Sequence, residues 1–73
     1  MPVFHIEFIS PEEPDFGKDN ISCVKFEDLE LAQEHRMRFY VEISAADETK
    51  AKGKILNAVD CHMNSVEFVK CSK

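Results

Sequence analysis

The sequence predicts one small α+β domain, in which a mostly antiparallel sheet of three to four strands carries one main helix on one face. Two patterns predict this fold. Apolar and polar residues alternate in residues 3–9 and 36–44, which is typical of half-buried strands. Between residues 45 and 62, apolar residues recur at spacings of three and four, which is typical of a helix that covers a sheet. With 73 residues, the chain has room for a single core.

Four strands are predicted, at residues 3–9, 21–26, 36–44 and 65–71. Residues 21–26 are rich in β-branched and aromatic side chains. The last strand has apolar residues on both faces, which favours a central position in the sheet or an interface. Alternation in the first and third strands turns Phe and aliphatic residues inward. The outer face is then polar and consists of His5, Glu7, Arg38, Tyr40 and Glu42.

The main helix is predicted over residues 45–62. The Ser44 hydroxyl is expected to cap the amide of Asp47, and acids in the first turn suit the helix dipole. Gly53 costs about 1 kcal/mol relative to alanine in mid-helix, which suggests a close approach to a strand. His62 and Asn64 mark the predicted C-terminal end. The stripe facing the sheet is Ala51, Ile55, Ala58, Val59 and Met63.

Two further segments allow alternative interpretations. The composition of residues 27–34 favours a short helix, although Leu29 and Leu31 also alternate with their neighbours and would extend the strand into a hairpin. Residues 10–20 are rich in proline, glycine and acids, so they are predicted to form a long acidic loop. Phe16 stands alone in this loop. It either folds back as a plug on the core or is exposed as an anchor for a partner.

Charge is distributed unevenly along the chain, whose net charge is −5. Residues 1–34 hold nine acids and two lysines, a balance of −7, whereas residues 35–73 carry a balance of +2. The acidic half predicts contact with a basic protein surface. It argues against direct nucleic-acid binding, which needs a basic face. The predicted partner-binding residues are Glu12, Glu13, Asp15, Phe16, Asp19, Glu27, Asp28 and Glu30.

No motif predicts a catalytic residue, a cofactor site or a metal site. The cysteine and histidine residues lack the short paired spacing of structural zinc sites. Cys23 and His5 are the one nucleophile and base that strand pairing brings near each other, and they are expected on opposite faces of the sheet. Two glycines provide no phosphate-binding loop.

The three cysteines, an odd count, favour free thiols in a reducing, cytoplasmic compartment. No apolar run is long enough for a membrane span, and the N-terminus lacks the features of a signal peptide. The leading hypothesis is a small acidic protein-interaction module, an inhibitor or regulator whose carboxylates imitate nucleic-acid phosphates on a basic partner. The alternatives are a self-associating structural domain and a ligand-binding domain formed at a homodimer interface, lined by His5, Tyr40 and His62.

Overall fold

The computed structural model describes residues 1–19, 21–31, 34–59 and 65–73. Along the chain the elements are β1 (Val3–Ser10), β2 (Ser22–Leu31), β3 (Glu34–Ser44), α1 (Glu48–Ala58) and β4 (Glu67–Ser72). The four strands form one antiparallel sheet in the order β2–β3–β1–β4, and α1 is the one helix in these ranges. The predicted α+β fold is therefore confirmed.

The core lies between one face of the sheet and α1. Alternation in β1 and β3 turns every second side chain towards the helix, as the sequence predicts. The rings of Phe8 and Phe39 stack across the two central strands, with their centroids 5.3 Å apart. From the helix, Ala51, Ile55 and Ala58 are buried against this face. The buried apolar residues of the strands are Phe4, Ile6, Phe8, Met37, Phe39, Val41 and Ile43.

A long crossover, residues 11–21, connects β1 to β2 and has no helix in its described part. Both strands run antiparallel to β3, so they are parallel to each other and the chain must return along the sheet. The crossover is attached to α1, because the backbone amide of Asp15 donates to the Ala58 carbonyl at 2.7 Å. Phe16 is partly buried and packs on the core. Its interpretation as a plug is thus confirmed.

Residues 27–31 do not form the predicted short helix. They continue β2, which pairs with β3 from Ser22 opposite Glu42 to Leu31 opposite Glu34. Residues 32 and 33 lie outside the described residues. Helix propensity is a weak preference in so short a segment. It is overridden here because pairing with β3 satisfies the backbone and places Glu27 opposite Arg38.

The helix begins later than predicted, and Asp47 rather than Ser44 caps it. The Ala45 amide donates to the Pro2 carbonyl at 3.1 Å, which keeps the chain extended beyond β3. Asp47 has extended backbone angles and its carboxylate accepts from the Lys50 amide at 2.8 Å. At the other end, the helix stops at Ala58, short of the predicted residue 62. Residues 60–64, including Met63, His62 and Asn64 of the prediction, lie outside the described residues.

Gly53 does not permit a close approach between α1 and a strand. A Cβ atom built on this residue meets no heavy atom within 4 Å. The predicted reason for a glycine at this position is therefore wrong. Gly17 differs, because its φ of +62° is a left-handed conformation that favours glycine in the crossover.

β4 is an edge strand and not a central one, since it pairs only with β1 in the described sheet. Its two apolar faces result from a bulge. Glu7 pairs with Lys70 while Phe8 pairs with Phe68, so Val69 is the extra residue and is 44% exposed. The bulge shifts the alternation and lets Phe68 and Cys71 both pack on the core.

Candidate partner-binding surface

The predicted acids form two groups, one in the crossover and one on β2. Ser10 and Asp28 both pair with Met37, so the crossover leaves β1 in the same row of the sheet as the acidic part of β2. Further along, the carboxylate of Glu13 lies near enough to the Cys23 thiol to affect its pKa. Glu12, Glu13, Asp15 and Asp19 come from the crossover, and Glu27, Asp28 and Glu30 from β2, all exposed.

Asp15 and Phe16 have structural roles within the crossover. The Asp15 carboxylate accepts from the Gly17 amide at 2.9 Å, which stabilises the turn at the left-handed glycine. The Phe16 ring is half-buried against the core, so only part of it is available to a partner. Of the eight predicted residues, Phe16 is the one that is not exposed, whereas Asp15 is exposed.

Two of the acids on β2 have basic neighbours. Asp28 accepts from His35 Nε2 at 2.9 Å and from Lys25 Nζ at 3.3 Å. The hydrogen bond from His35, followed by that from Lys25, lowers the pKa of the Asp28 carboxyl. Glu27 lies 3.4 Å from a guanidinium nitrogen of Arg38. Within the described ranges, no basic group lies within 4 Å of the carboxylates of Glu12, Glu13, Asp19 or Glu30.

β2 also has exposed apolar side chains, which the sequence pattern does not reveal. Val24 is 53% exposed and Phe26 is 50% exposed. Phe26 is the extra residue of a second bulge, since Lys25 pairs with Phe39 while Glu27 pairs with Arg38. The Arg38 guanidinium lies 5.4 Å from the centre of the Phe26 ring. The composition of residues 21–26 predicted a strand, but it did not show that this strand lies at an edge of the sheet.

The outer face of the sheet is polar, as predicted, and both of its arginine side chains are paired with carboxylates. Arg38 donates to Glu7 through two nitrogens, one of them at 3.1 Å. Arg36 donates to Glu34 at 2.6 Å and to the Ser65 carbonyl at 2.8 Å. Because each guanidinium already has a carboxylate partner, neither arginine offers free positive charge to a phosphate backbone.

A chain of hydrogen bonds links the centre of the outer face. His5 Nδ1 lies 2.6 Å from the Tyr40 hydroxyl, which donates to Glu42 at 3.2 Å. Partial burial raises the pKa of Tyr40, and the hydrogen bond to the Glu42 carboxylate raises it further. Beside it is a shallow concavity of about 340 Å³ that His5, Glu7, Tyr40, Lys70 and Ser72 line. His62, the third predicted lining residue, lies outside the described residues.

Cys23 and His5 cannot act together as nucleophile and base. Cys23 pairs with Val41 on the helix side and packs on the core, whereas His5 lies on the outer face of β1, with β3 between the two strands. Burial, and then the nearby Glu13 carboxylate, raise the pKa of the Cys23 thiol to about 11. A thiol with this pKa is protonated at neutral pH and is a weak nucleophile.

Elsewhere in the described ranges, no three side chains of His, Cys, Asp or Glu are grouped as metal ligands would be. In the same ranges, no helix combines the length and the apolar character needed to cross a membrane. Comparison with protein-family models, with curated proteins and with solved structures finds no match.

Proposed function

We propose that this protein is a small acidic interaction module that inhibits or regulates a partner by docking on its basic surface. One observation carries the proposal. Glu30, an exposed carboxylate without a basic neighbour in the described ranges, lies on the same strand as the exposed Val24 and Phe26. Glu13, which follows Glu12 in the crossover, lies near Cys23 of that strand and likewise has no basic neighbour there. Interfaces commonly combine an apolar centre with a charged rim that sets orientation and association rate.

The chemistry of the surface favours a partner that handles nucleic acid. Such proteins present rows of lysine and arginine to phosphates. Carboxylates at the spacing of β-strand residues can occupy the same cationic sites, so the module would act as a competitor of nucleic acid. Two free thiols, Cys23 and Cys71, are compatible with action in a reducing, cytoplasmic compartment.

The test begins with affinity purification of the partner and continues with the purified pair. We expect the affinity to fall steeply with added salt, and duplex nucleic acid to displace the module from its partner. The triple variant Glu12→Gln, Glu13→Gln, Glu30→Gln should lose binding while its urea unfolding curve stays close to that of the native protein.

The matched control removes the same charge elsewhere. The triple variant Glu42→Gln, Glu48→Gln, Glu67→Gln changes three exposed acids outside this surface. It should retain binding. If both triple variants bind equally well, or if binding does not respond to salt, docking through the acidic surface is wrong.

Self-association is the second candidate. In the described sheet, β2 and β4 each pair on one side only, and the acids of β2 complement Lys70 on β4. Pairing of β2 with β4 of the next copy is a head-to-tail contact, which extends into filaments if it does not close. Sedimentation velocity over a range of concentrations tests this, and a constant monomer would end it.

A further inference from the structure

β2 is an edge strand with a regular stretch long enough to receive another strand. After the bulge, the residues from Glu27 to Leu31 pair with β3 in unbroken register. Five residues extend about 17 Å, which is a common strand length. Because β2 pairs with β3 alone in the described sheet, its other side presents backbone donors and acceptors to solvent.

The side chains along this edge determine which side chains an added strand should have. Glu27 lies on the outer face of the sheet. Asp28 pairs with Met37 and so lies on the helix side. The crossover that contains Glu12 and Glu13 starts in the same row, because Ser10 also pairs with Met37. A strand added here therefore meets carboxylates on both of its faces. Glu27 and Asp28 already have basic neighbours, whereas Glu30 on the helix side has none in the described ranges. Cross-strand pairs of opposite charge favour pairing and like charges oppose it.

The same charges make a second copy of β2 an unsuitable occupant. Antiparallel pairing of β2 with itself sets the acids of one copy against those of the other. β4 of a second copy is basic at Lys70, but its bulge at Val69 interrupts the regular register. Charged side chains and bulges on edge strands commonly prevent a protein from pairing with its own copies. An acidic edge repels an acidic strand but can still pair with a basic one.

We propose that β2 binds an extended, lysine- or arginine-rich segment of the partner, which joins the sheet as a fifth strand. This inference rests on the proposed function and names the part of the partner that is recognised, a basic tail or linker and not a folded basic face. Main-chain hydrogen bonds would supply affinity, the acids of β2 would select basic side chains, and Val24 and Phe26 would contact apolar residues between them.

The test uses a short synthetic peptide of alternating lysine and valine, with the whole 73-residue chain. Bound as a strand, the peptide has its lysines on one face, where they can meet Asp28 and Glu30 on the helix side, and its valines on the outer face. A matched peptide carries N-methyl groups on alternate backbone amides, which removes hydrogen-bond donors and leaves the charge unchanged. We expect the first peptide to bind and to slow hydrogen exchange of β2 amides, and the second to bind at least tenfold more weakly. NMR titration and exchange measurements report both effects residue by residue.

Charge reversal on the protein provides the second arm. Glu30→Lys on β2 should weaken peptide binding about fivefold, since it replaces an attraction by a repulsion in one cross-strand pair. Glu67→Lys on the other edge strand makes the same charge change and should leave binding nearly unaltered.

Three results would overturn strand addition. Equal binding of both peptides would mean contact through charge alone, which leaves the proposed function in place. Absence of binding to either peptide would mean that β2 does not receive a basic strand, and the glutamine triple variants would then decide the proposed function separately. Protection of β2 amides that grows with protein concentration and needs no peptide would identify a second copy as the occupant.

Discussion

The Tyr40 hydroxyl lies 2.6 Å from Nδ1 of His5, across the two central strands. The hydroxyl has one proton, which it donates to the Glu42 carboxylate at 3.2 Å. We therefore expect its oxygen to accept from His5, which places a proton on Nδ1. The polar outer face is therefore ordered by a directional chain of hydrogen bonds, and its direction can be measured.

Replacing Tyr40 by phenylalanine should change the tautomer of His5. In the native protein we expect neutral His5 to carry its proton on Nδ1, and in Tyr40→Phe to shift towards the Nε2 form because the acceptor is lost. Long-range nitrogen–proton correlation spectra distinguish the two forms. Val24→Ala, directly opposite Tyr40 on β2, serves as the control and should leave the tautomer unchanged. An unprotonated Nδ1 in the native protein would contradict the proposed direction.

Gly53→Ala should stabilise the protein by about 0.5–1 kcal/mol, since alanine has the higher helix propensity and a Cβ atom meets no neighbour within 4 Å. Gly17→Ala should destabilise it by about 1 kcal/mol, because that residue has a φ of +62°. Urea unfolding measures both. A loss of stability in Gly53→Ala would mean that this part of α1 is more crowded than the structure indicates.

Asp47→Ala should reduce the free energy of unfolding by about 1 kcal/mol, because the Lys50 amide loses its capping acceptor. Ser44→Ala should change it by less than about 0.5 kcal/mol, since the exposed serine side chain does not cap α1. The pair of variants compares the observed cap with the one that the sequence predicts. Equal or reversed effects on the free energy of unfolding would mean that Ser44 also caps α1.

Asp28→Asn should lower stability at neutral pH and not in strong acid. Hydrogen bonds from His35 and Lys25 lower the pKa of Asp28 below its ordinary value of 3.8. A lowered pKa stabilises the folded state above the ordinary pKa, and this contribution is lost as pH falls through the lowered one. The unfolding midpoints of native protein and variant should therefore converge in acid. Glu30→Gln, at a residue without a basic neighbour in the described ranges, should show little difference at any pH.

Cys23 should react slowly with iodoacetamide in the folded protein. Its pKa of about 11, against an ordinary 9.0, reduces the thiolate fraction about 100-fold at mildly alkaline pH. Peptide mapping by mass spectrometry gives the rate at this residue in the native state and in urea. Glu13→Gln should raise the native rate modestly, because burial is the larger cause of the shift. Equal rates in the two states would contradict the burial of this thiol.

β1 and β3 were predictable because strict alternation of apolar and polar residues shows which face of the sheet each side chain occupies. The face in turn determines whether the side chain is buried or exposed. In β1 and β3 the inward residues are buried and the outward ones are polar, as expected. The wrong assignment of residues 27–34 has a different cause. Their local preference for a helix is small, and the long neighbouring strand β3 provides backbone partners that no local pattern reveals.

The candidate surface was predictable only in its charge. The acids of the crossover and of β2 could be counted in the sequence, but not which of them have basic partners. Asp28 meets His35 and Lys25, whereas Glu12 meets no basic group in the described ranges. The exposure of Val24 and Phe26 depends on strand order and on a bulge, which arise from pairing with β3.

By itself, the sequence determined the class of fold, most residues of the core and the acidic balance of residues 1–34, because periodicity and charge are properties of the chain. The tertiary structure alone decided that β2 and β4 are edges, that Asp47 caps α1 and that the crossover packs on the helix end through Asp15. These features depend on contacts between segments that are distant along the chain. The free energies of such contacts cannot be inferred from a local sequence pattern.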